Sequence, residues 1–319
     1  MSLTELTMES AAHPFLTIDY DTAVAIIFQS APEGTPPPAP VTSGRPARRL
    51  RDAMEPIASH AVWSRHTNEV LSKLGLKLFT GYVWGKAAVL GEPPTEVVVS
   101  VFPDFEPGLI TAAYEEARRQ CGRAGMMAAR EEATIESLAA VLDGADVTPV
   151  IRALRRGVEA ADGTGLVLFS GLRSLGWPDD PVGHLWRACD LLRQHRGDGH
   201  TAACIAAGLG PVTMNVMTEL WMGIPVGQLA VGQRGWPEEA VAAAVAELER
   251  RGLVADGALT TAGRRLRDDI EDRTDAMQQS IIDAVGADLD ALTRQLDGWS
   301  DALIAAGAAP PDPAKRAAG

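Results

Sequence analysis

The sequence has few cysteines and no long apolar run, and each shortage excludes a class of protein. The three cysteines, Cys121, Cys189 and Cys204, form no CxxC pair. We therefore expect free, buried thiols in a reducing compartment and no zinc site built from cysteine. No apolar run approaches the roughly 18 residues of a membrane span, and residues 1–30 lack the basic start of a signal peptide. These absences predict a cytoplasmic protein without a membrane partner.

Basic residues are scarce relative to acidic ones, since 29 Lys and Arg face 42 Asp and Glu and the formal net charge is −13. Binding to DNA phosphates needs clustered Lys and Arg. This balance argues against a nucleic-acid-binding surface over the whole protein. It does not exclude a local basic patch.

Several cofactor and catalytic motifs are also missing. The GxSxG, GxGxxG and DxDxDG patterns do not occur. The stretch GYVWGK, residues 81–86, fails as a phosphate loop because Thr80 and Ala87 stand where that loop needs Gly and Ser or Thr. The sequence therefore predicts no cofactor.

The residues that are present predict a mainly α-helical protein. From Ala47 onward most segments carry apolar residues at helical spacing. One stretch, VVVSVF at 97–102, is strand-like by its β-branched residues, and a helix is the alternative. The expected divisions are an N-terminal segment with a Pro-rich linker (1–46), an N-terminal helical lobe (47–175), a winged-helix-like lobe (176–277), C-terminal helices (278–306) and a disordered tail (307–319).

The two halves of the chain share an order of features, which predicts two tandem helical lobes of similar plan. Segments 102–119 and 236–251 each enter a helix through proline and end in Arg-Arg, at similar distances from a preceding Leu-Gly pair. This alignment gives His60 and His200 equivalent positions, one in each lobe. Ligand pockets often lie where two such units meet, so we expect the histidine pair at a pocket.

Residues 237–275 carry a more specific pattern. A helix ends in Glu-Arg-Arg-Gly-Leu-Val, a short Ala-Asp-Gly-Ala turn follows, and Leu-Thr-Thr-Ala-Gly-Arg opens another helix. This order resembles the recognition helix, reduced β-wing and following helix of a MarR-type winged helix. A recognition helix reads the major groove with basic and amide side chains. Here the helix opens on Glu238 and Glu239, and Asp256 lies at the wing tip, so we expect a scaffold rather than a DNA reader.

The helix after this turn alternates basic and acidic residues, which predicts a solvated helix face of paired charges. The residues concerned are Arg264, Arg265, Arg267, Asp268, Asp269, Glu271, Asp272, Arg273 and Asp275.

Over residues 47–306 the chain resembles an actinobacterial helix-turn-helix, MarR-like family. Its pattern has a histidine after a Glu-Pro helix, matched by His60, and a His-Arg-Gly-Asp-Gly-His run, matched by 195–200. Lys86 differs from the family pattern, which more often has arginine at this position. The resemblance implies a mainly helical, cytoplasmic protein with a winged-helix-like C-terminal lobe. MarR-type proteins pair through terminal helices, so helix 278–306 either closes the fold or makes a homodimer.

The run 195–200 has several interpretations. Histidine moves protons near neutral pH, and two histidines with a carboxylate can bind a metal. In the alternative, Asp198 caps a helix that starts near His200, and Arg193 and Arg196 pair with nearby acidic residues. In a third interpretation, Arg196 holds a carboxylate or phosphate of a ligand. His195 and His200 do not have the spacing of a helical zinc motif, and we predict no metal site.

These observations combine into one hypothesis of function: a small-molecule-binding protein, with or without enzyme activity, of actinobacterial specialised metabolism. A degenerate winged-helix scaffold would hold the pocket between the lobes. His200 and His60 are the candidate proton-transfer residues, Arg196 is the anion clamp, and the other ligand-binding candidates are Tyr82, Trp84, Lys86 and Asp198. The alternative is a MarR-like, ligand-responsive transcriptional regulator that binds DNA as a dimer. A third hypothesis is a partner-binding module without chemistry.

Overall fold

A computed structural model describes residues 14–27 and 45–311, and over these ranges the protein is mainly α-helical, as the sequence predicts. Most of the Pro-rich linker and the end of the tail lie outside the described residues. The α-helices are α1 (Tyr20–Ile27), α2 (Pro46–Ala58), α3 (His60–Trp63), α4 (Arg65–Lys73), α5 (Leu78–Ala87), α6 (Thr95–Ser100), α7 (Pro107–Gln120), α8 (Arg123–Leu142), α9 (Thr148–Ala160), α10 (Val167–Ser174), α11 (Pro181–Ala206), α12 (Pro211–Met222), α13 (Glu238–Arg250), α14 (Thr261–Met277), α15 (Gln279–Val285) and α16 (Leu289–Ala305). Short 3₁₀ turns lie at Pro14–Leu16, Ala88–Leu90 and Gly286–Asp288.

Proline and capping side chains set many of the helix starts. Pro107, Pro181 and Pro211 open helices at the first turn, where proline's missing N–H costs nothing. Asp180 caps α11 by accepting hydrogen bonds from the backbone N–H groups of Val182 and Gly183 at 2.7 and 3.1 Å. Helix α6 begins directly after Pro94 and contains residues 97–100 of the ambiguous VVVSVF stretch, so this stretch forms a helix and no strand.

Helix α11 corrects one prediction. The His-Arg-Gly-Asp-Gly-His run is not a turn, because it lies inside this continuous 26-residue helix. Asp198 therefore caps no helix that starts near His200. Glycine lowers helix propensity by about 1 kcal/mol relative to alanine, but tertiary packing outweighs it here. A Cβ added at Gly199 would lie 2.9 Å from the sulfur of Met277, so the glycine permits close contact between α11 and α14.

Buried apolar side chains form two clusters. The first extends from Phe15 to Leu192 and includes Ile281 to Ala308 of the C-terminal helices. The second lies between Ala203 and Ile270. Helix α11 contributes to both, so it runs through the molecule as a shared element. The two halves were predicted to place His60 and His200 at equivalent positions. The local structures differ, because His60 starts a four-residue helix and His200 lies within a long one.

The apolar stripe of the last helix, α16, packs within the chain. Leu292, Leu296 and Leu303 are buried in the first cluster, and α16 packs against α2. Ser300 also donates a hydrogen bond to the carbonyl of Ala53 at 2.7 Å. Of the two predicted roles for this segment, the structure favours closure of the fold.

The second cluster has the element order α12, α13, β-hairpin, α14. Strands β1 (Val254–Ala255) and β2 (Ala258–Leu259) pair antiparallel. The two residues between them, Asp256 and Gly257, have φ of 51° and 72°, as a tight hairpin turn requires. The connection between α12 and α13 covers 223–237, much longer than the three or four residues usual in a helix-turn-helix.

Two absences predicted from the sequence concern membrane spans and cysteine pairing. Among these, no single helix has the length and apolarity to cross a membrane, although α11 and α12, bent by 105°, meet those criteria together. Cys121, Cys189 and Cys204 are buried and free, as predicted.

Candidate functional site

A cavity of about 260 Å³, here called the central cavity, lies where the two apolar clusters meet. This volume holds many water molecules, which is the scale of a small organic molecule. Helices α2, α5, α11, α12 and α14 and the 223–237 connection form its wall. The lining side chains include Phe15, Arg48, Arg51, Glu55, Phe79, Tyr82, Lys86, Phe105, Arg193, Arg196, Asp198, His200, Asn215, Arg234, Arg267 and Glu271.

Linked ion pairs dominate this wall, and we call them the arginine network. Glu271 is its centre: Arg267 donates to it at 2.5 Å and Arg196 at 2.8 Å, and Arg48 lies 3.6 Å away. Burial opposes ionisation of Glu271, but Arg267 and the other neighbours outweigh it and lower its pKa to about 2. The network comprises Arg48, Arg51, Arg193, Arg196, Arg267, Asp52, Glu55, Glu271 and Asp275.

The guanidinium group of Arg48 occupies an unusual place in the network. Its side chain is 5 % exposed, and its Nε–H donates to Asp52 at 3.2 Å. Its Nη2 is buried and makes no hydrogen bond among the described residues. Burial and the nearby Arg51 lower the pKa of Arg48 to about 10, which leaves it charged at neutral pH. A buried charged donor without an acceptor costs free energy.

His200 lines the central cavity but is a weak candidate for proton transfer. Its Nδ1 lies 3.2 Å from Thr274 Oγ1, and its Nε2 lies 3.6 Å from Cys204 Sγ. Burial, then the positive charge of Arg267, lowers its pKa to about 3. The imidazole is therefore neutral near pH 7 and far from the pKa that suits an acid or base at that pH. The geometry favours a binding role for His200.

Four other predicted residues also line the cavity: Arg196, which belongs to the arginine network, and Tyr82, Lys86 and Asp198. Asp198 Oδ2 accepts hydrogen bonds from the backbone N–H groups of Leu168 and Phe169 at 2.9 and 3.1 Å. It therefore caps the start of α10 from a neighbouring helix, and burial raises its pKa. Lys86 stacks its ammonium 4.7 Å from the centre of a phenylalanine ring. Tyr82 belongs to a group of aromatic rings.

That group forms an apolar part of the cavity wall, here called the ring wall: Phe15, Phe79, Tyr82 and Phe105. Phe79 is its centre, with ring centroids 5.7 Å from Phe15, 6.3 Å from Tyr82 and 5.6 Å from Phe105. These separations lie within the favourable range for aromatic pairs. The cavity therefore combines charged donors with a preformed aromatic surface.

Two predicted site residues are elsewhere. His60 is fully buried, its Nε2 lies 3.0 Å from Ser137 Oγ, and it does not line the central cavity. Burial lowers its pKa to about 4. Trp84 is also fully buried, and its indole N–H donates to the carbonyl of Cys121 at 2.9 Å. The structure thus places both in the packing of the first cluster rather than at the site.

The sequence did not predict that the charges of α2, α11 and α14 form a buried network. The prediction of a solvated charged face is wrong for Arg267 and Glu271, which are 4 % and 9 % exposed. The sequence does contain a pattern that indicates burial. One side of α14 repeats at steps of three or four residues and is buried, and it includes Arg267, Ile270, Glu271 and Thr274. The charges on that stripe meet α2 and α11, which sequence spacing within α14 does not reveal.

Other features of the described residues bear on chemistry and on DNA contact. They contain no group of three or more His, Cys, Asp or Glu side chains placed to hold a metal ion. The predicted recognition helix α13 exposes Glu238, Glu239, Ala242, Ala243 and Glu249, with Arg250 at its end. Such a face offers DNA phosphates one cation among several carboxylates.

Comparison with curated proteins and with solved structures found no match for this chain. A family model described as "Helix-turn-helix family" matches residues 47–310. The match covers the arginine network, the ring wall from Phe79 onward, and the whole of the second apolar cluster. The chain belongs to the helix-turn-helix family.

Proposed function

We propose that this helix-turn-helix protein binds a small organic molecule in the central cavity and acts as a ligand-responsive regulator. The cavity carries the proposal, because it is ligand-sized and lined by an aromatic surface and buried charged donors. Family membership supports regulation through DNA as the output.

The position of the cavity supports a link between ligand and DNA. Leu229, Gln233 and Arg234 line it, and they belong to the connection that leads directly into α13. A ligand in contact with this segment would bias the position of the predicted recognition helix. In the MarR-like arrangement that we propose, the β-hairpin is the wing. Because α16 uses its apolar stripe within the chain, a DNA-binding dimer would pair through another surface.

A cavity-blocking variant tests ligand binding. Gly197 lines the cavity, and a Cβ added there has no neighbour within 4 Å. Gly197→Leu should fill part of the cavity and raise helix stability by up to about 0.8 kcal/mol. Gly298→Leu on α16 is the matched control, because Gly298 is also helical with open space around it.

The purified variants and the wild type are incubated with a small-molecule extract of the host, and retained compounds are identified by mass spectrometry. We expect a compound that wild type and Gly298→Leu retain and Gly197→Leu loses. Equal retention by all three proteins, or no retained compound, would overturn binding in the cavity.

A second candidate is a binding protein or enzyme of specialised metabolism that keeps the winged helix only as a scaffold. The acidic exposed face of α13 favours it. DNA binding to the protein's own upstream region, against unrelated DNA and across a salt series, separates the candidates. Specific binding that weakens steeply with salt supports the regulator, whereas no binding at low salt supports the scaffold.

A further inference from the structure

We infer that the ligand of the central cavity carries a phosphate or sulfonate head group, which is held in a small pocket between α5 and α11. This inference rests on the proposed ligand-binding function and specifies the chemical class of the ligand. Three accessible hydrogen-bond donor groups at the border of that pocket carry it.

A second cavity, here called the side pocket, has a volume of about 30 Å³ and borders the central cavity. Tyr82 and Lys86 of α5 and Arg193 and Gln194 of α11 line both cavities, so they form the border between them. The side pocket is larger than one water molecule needs and much smaller than the central cavity. It therefore suits a compact head group, while the body of the ligand lies in the central cavity.

Three donor groups at this border lack acceptors. Arg193 donates from Nε–H to Glu55 at 2.9 Å, but its Nη1 and Nη2 make no hydrogen bond among the described residues and keep accessible surface. The ammonium group of Lys86 lies 4.7 Å from the centre of the Phe102 ring and forms no ion pair among these residues. The hydroxyl group of Tyr82 is also without a partner there and keeps accessible surface.

The carboxylates nearby have donors of their own. Asp190 accepts hydrogen bonds from Gln194 at 2.9 Å and from Arg130 at 3.4 Å, and Asp198 accepts two from backbone N–H groups. Three cationic side chains and one carboxylate line the side pocket: Lys86, Arg130, Arg193 and Asp190. Such a wall attracts an anion and supplies it with donors that no protein group uses.

The arrangement of the donors indicates the shape of the anion. The guanidinium group of Arg193 comes from α11, whereas the ammonium group of Lys86 and the hydroxyl group of Tyr82 come from α5. A carboxylate directs its two oxygens into one plane, whereas phosphate and sulfonate present three terminal oxygens in three directions. Arginine binds phosphate oxygens in pairs and lysine acts as a point charge, so a tetrahedral head group uses all three donor groups.

Probes that share a phenyl ring and differ in the head group test the inference on the full-length wild-type protein. Calorimetry compares phenyl phosphate, benzenesulfonate, benzoate and benzyl alcohol, and the ring is only a common carrier. Benzenesulfonate and benzoate carry the same charge, so this pair isolates the geometry of the head group. We expect phenyl phosphate and benzenesulfonate each to bind at least about tenfold tighter than benzoate, because a donor left unpaired lowers affinity by roughly this factor. The tighter of the two identifies the head group as phosphate or sulfonate.

Four variants locate the effect for the tighter probe. Lys86→Gln should weaken its binding about tenfold or more and Tyr82→Phe about threefold to tenfold, because each removes one donor group. Lys86→Arg should keep the affinity, since the charge and the donors remain. Lys73→Gln is the control, because Lys73 is exposed and lines neither cavity. The comparison of probes needs no variant, so it stands even where one of them fails to fold.

Benzoate that binds as tightly as phenyl phosphate and benzenesulfonate overturns the inference, and so does the absence of binding by all four probes. A loss of affinity in Lys73→Gln as large as in Lys86→Gln also overturns it. The proposed function fails separately, when the Gly197→Leu variant retains the same compounds as wild type.

Discussion

At the scale of single residues, His60 shows how burial changes the chemistry of a side chain that sequence alone marks as a candidate. It has no exposed surface, and its Nδ1 makes no hydrogen bond among the described residues. Burial lowers its pKa from the ordinary 6.5 to about 4. Between these values the unfolded chain binds a proton that the folded protein does not, so folded stability falls as the pH falls below 6.5.

His60→Gln tests this role in stability. Between pH 7 and pH 5 the free energy of unfolding of the wild type should fall by about 2 kcal/mol more than that of the variant, at 1.36 kcal/mol per pKa unit. Urea denaturation at the two pH values measures the difference. His66→Gln is the control, because His66 is exposed on the next helix. The interpretation is wrong if both variants show the same pH dependence as wild type.

Residue type and residue placement are predicted unequally well from sequence. Tyr82, Lys86, Arg196, Asp198 and His200 line the cavity. These are polar or amphipathic residues in the segments that the family pattern emphasised, and their roles in ligand binding stay predictions.

Trp84 failed as a site residue for a geometric reason. Tyr82 and Lys86 are four residues apart on α5 and share a face, whereas Trp84, two residues from each, points away into the core. Helical spacing was sufficient to exclude it.

At the scale of elements, the connection between α12 and α13 depends on one buried carboxylate. Glu219 has no exposed surface and accepts backbone hydrogen bonds from Gly227, Leu229 and Ala230 at 2.9, 2.6 and 3.0 Å. Burial raises its pKa, and the three backbone donors oppose that effect. Glu219 thus fixes a segment that forms part of the cavity wall.

Glu219→Gln replaces one acceptor oxygen with an NH₂ donor. We expect a loss of about 1–3 kcal/mol in the free energy of unfolding, because buried N–H groups lose their acceptor. Hydrogen exchange should be faster at Gly227 or at Leu229 and Ala230, depending on which oxygen is replaced. The exposed Glu239→Gln on α13 is the control. Unchanged exchange at all three amides would contradict this role.

Element boundaries in α11 escaped sequence analysis for a specific reason. Gly-Asp-Gly is typical of turns. The sequence therefore predicts that the helix ends near Arg196 and that a turn follows. In the structure α11 packs against α2, α8, α9, α10 and α14. Contacts with these five helices outweigh the local preference of two glycines, and only the tertiary structure supplies those contacts.

At the scale of the whole molecule, net charge misleads about the site. The chain carries −13 overall, yet arginine side chains line much of the central cavity: Arg48, Arg51, Arg193, Arg196, Arg234 and Arg267. Helical content was predicted from periodicity. The network was not, because its members come from α2, α11 and α14, which are far apart in sequence. Long-range pairing of charges is invisible to spacing rules that work within one helix.

The arginine network also joins the two apolar clusters, since α2 contributes to the first and α14 to the second. Glu271→Gln should therefore lower the free energy of unfolding by about 3–5 kcal/mol, because Glu271 is the ion-pair partner of Arg267 among the described residues and its loss leaves that buried charge uncompensated. Urea denaturation measures the loss at neutral pH. Asp272→Asn is the matched control, because Asp272 is the next residue on α14 and its side chain is 58 % exposed; its effect should stay within about 0.5 kcal/mol.

Acid titration gives this prediction a second, independent readout. The pKa of Glu271 is lowered to about 2 from an ordinary 4.5. Its contribution to stability is therefore complete above pH 4.5 and is lost as the pH falls toward 2. The difference in the free energy of unfolding between wild type and Glu271→Gln should shrink over this interval. A Glu271→Gln variant as stable as Asp272→Asn at neutral pH would mean that the network does not join the clusters, and the cavity between them would lose its electrostatic support.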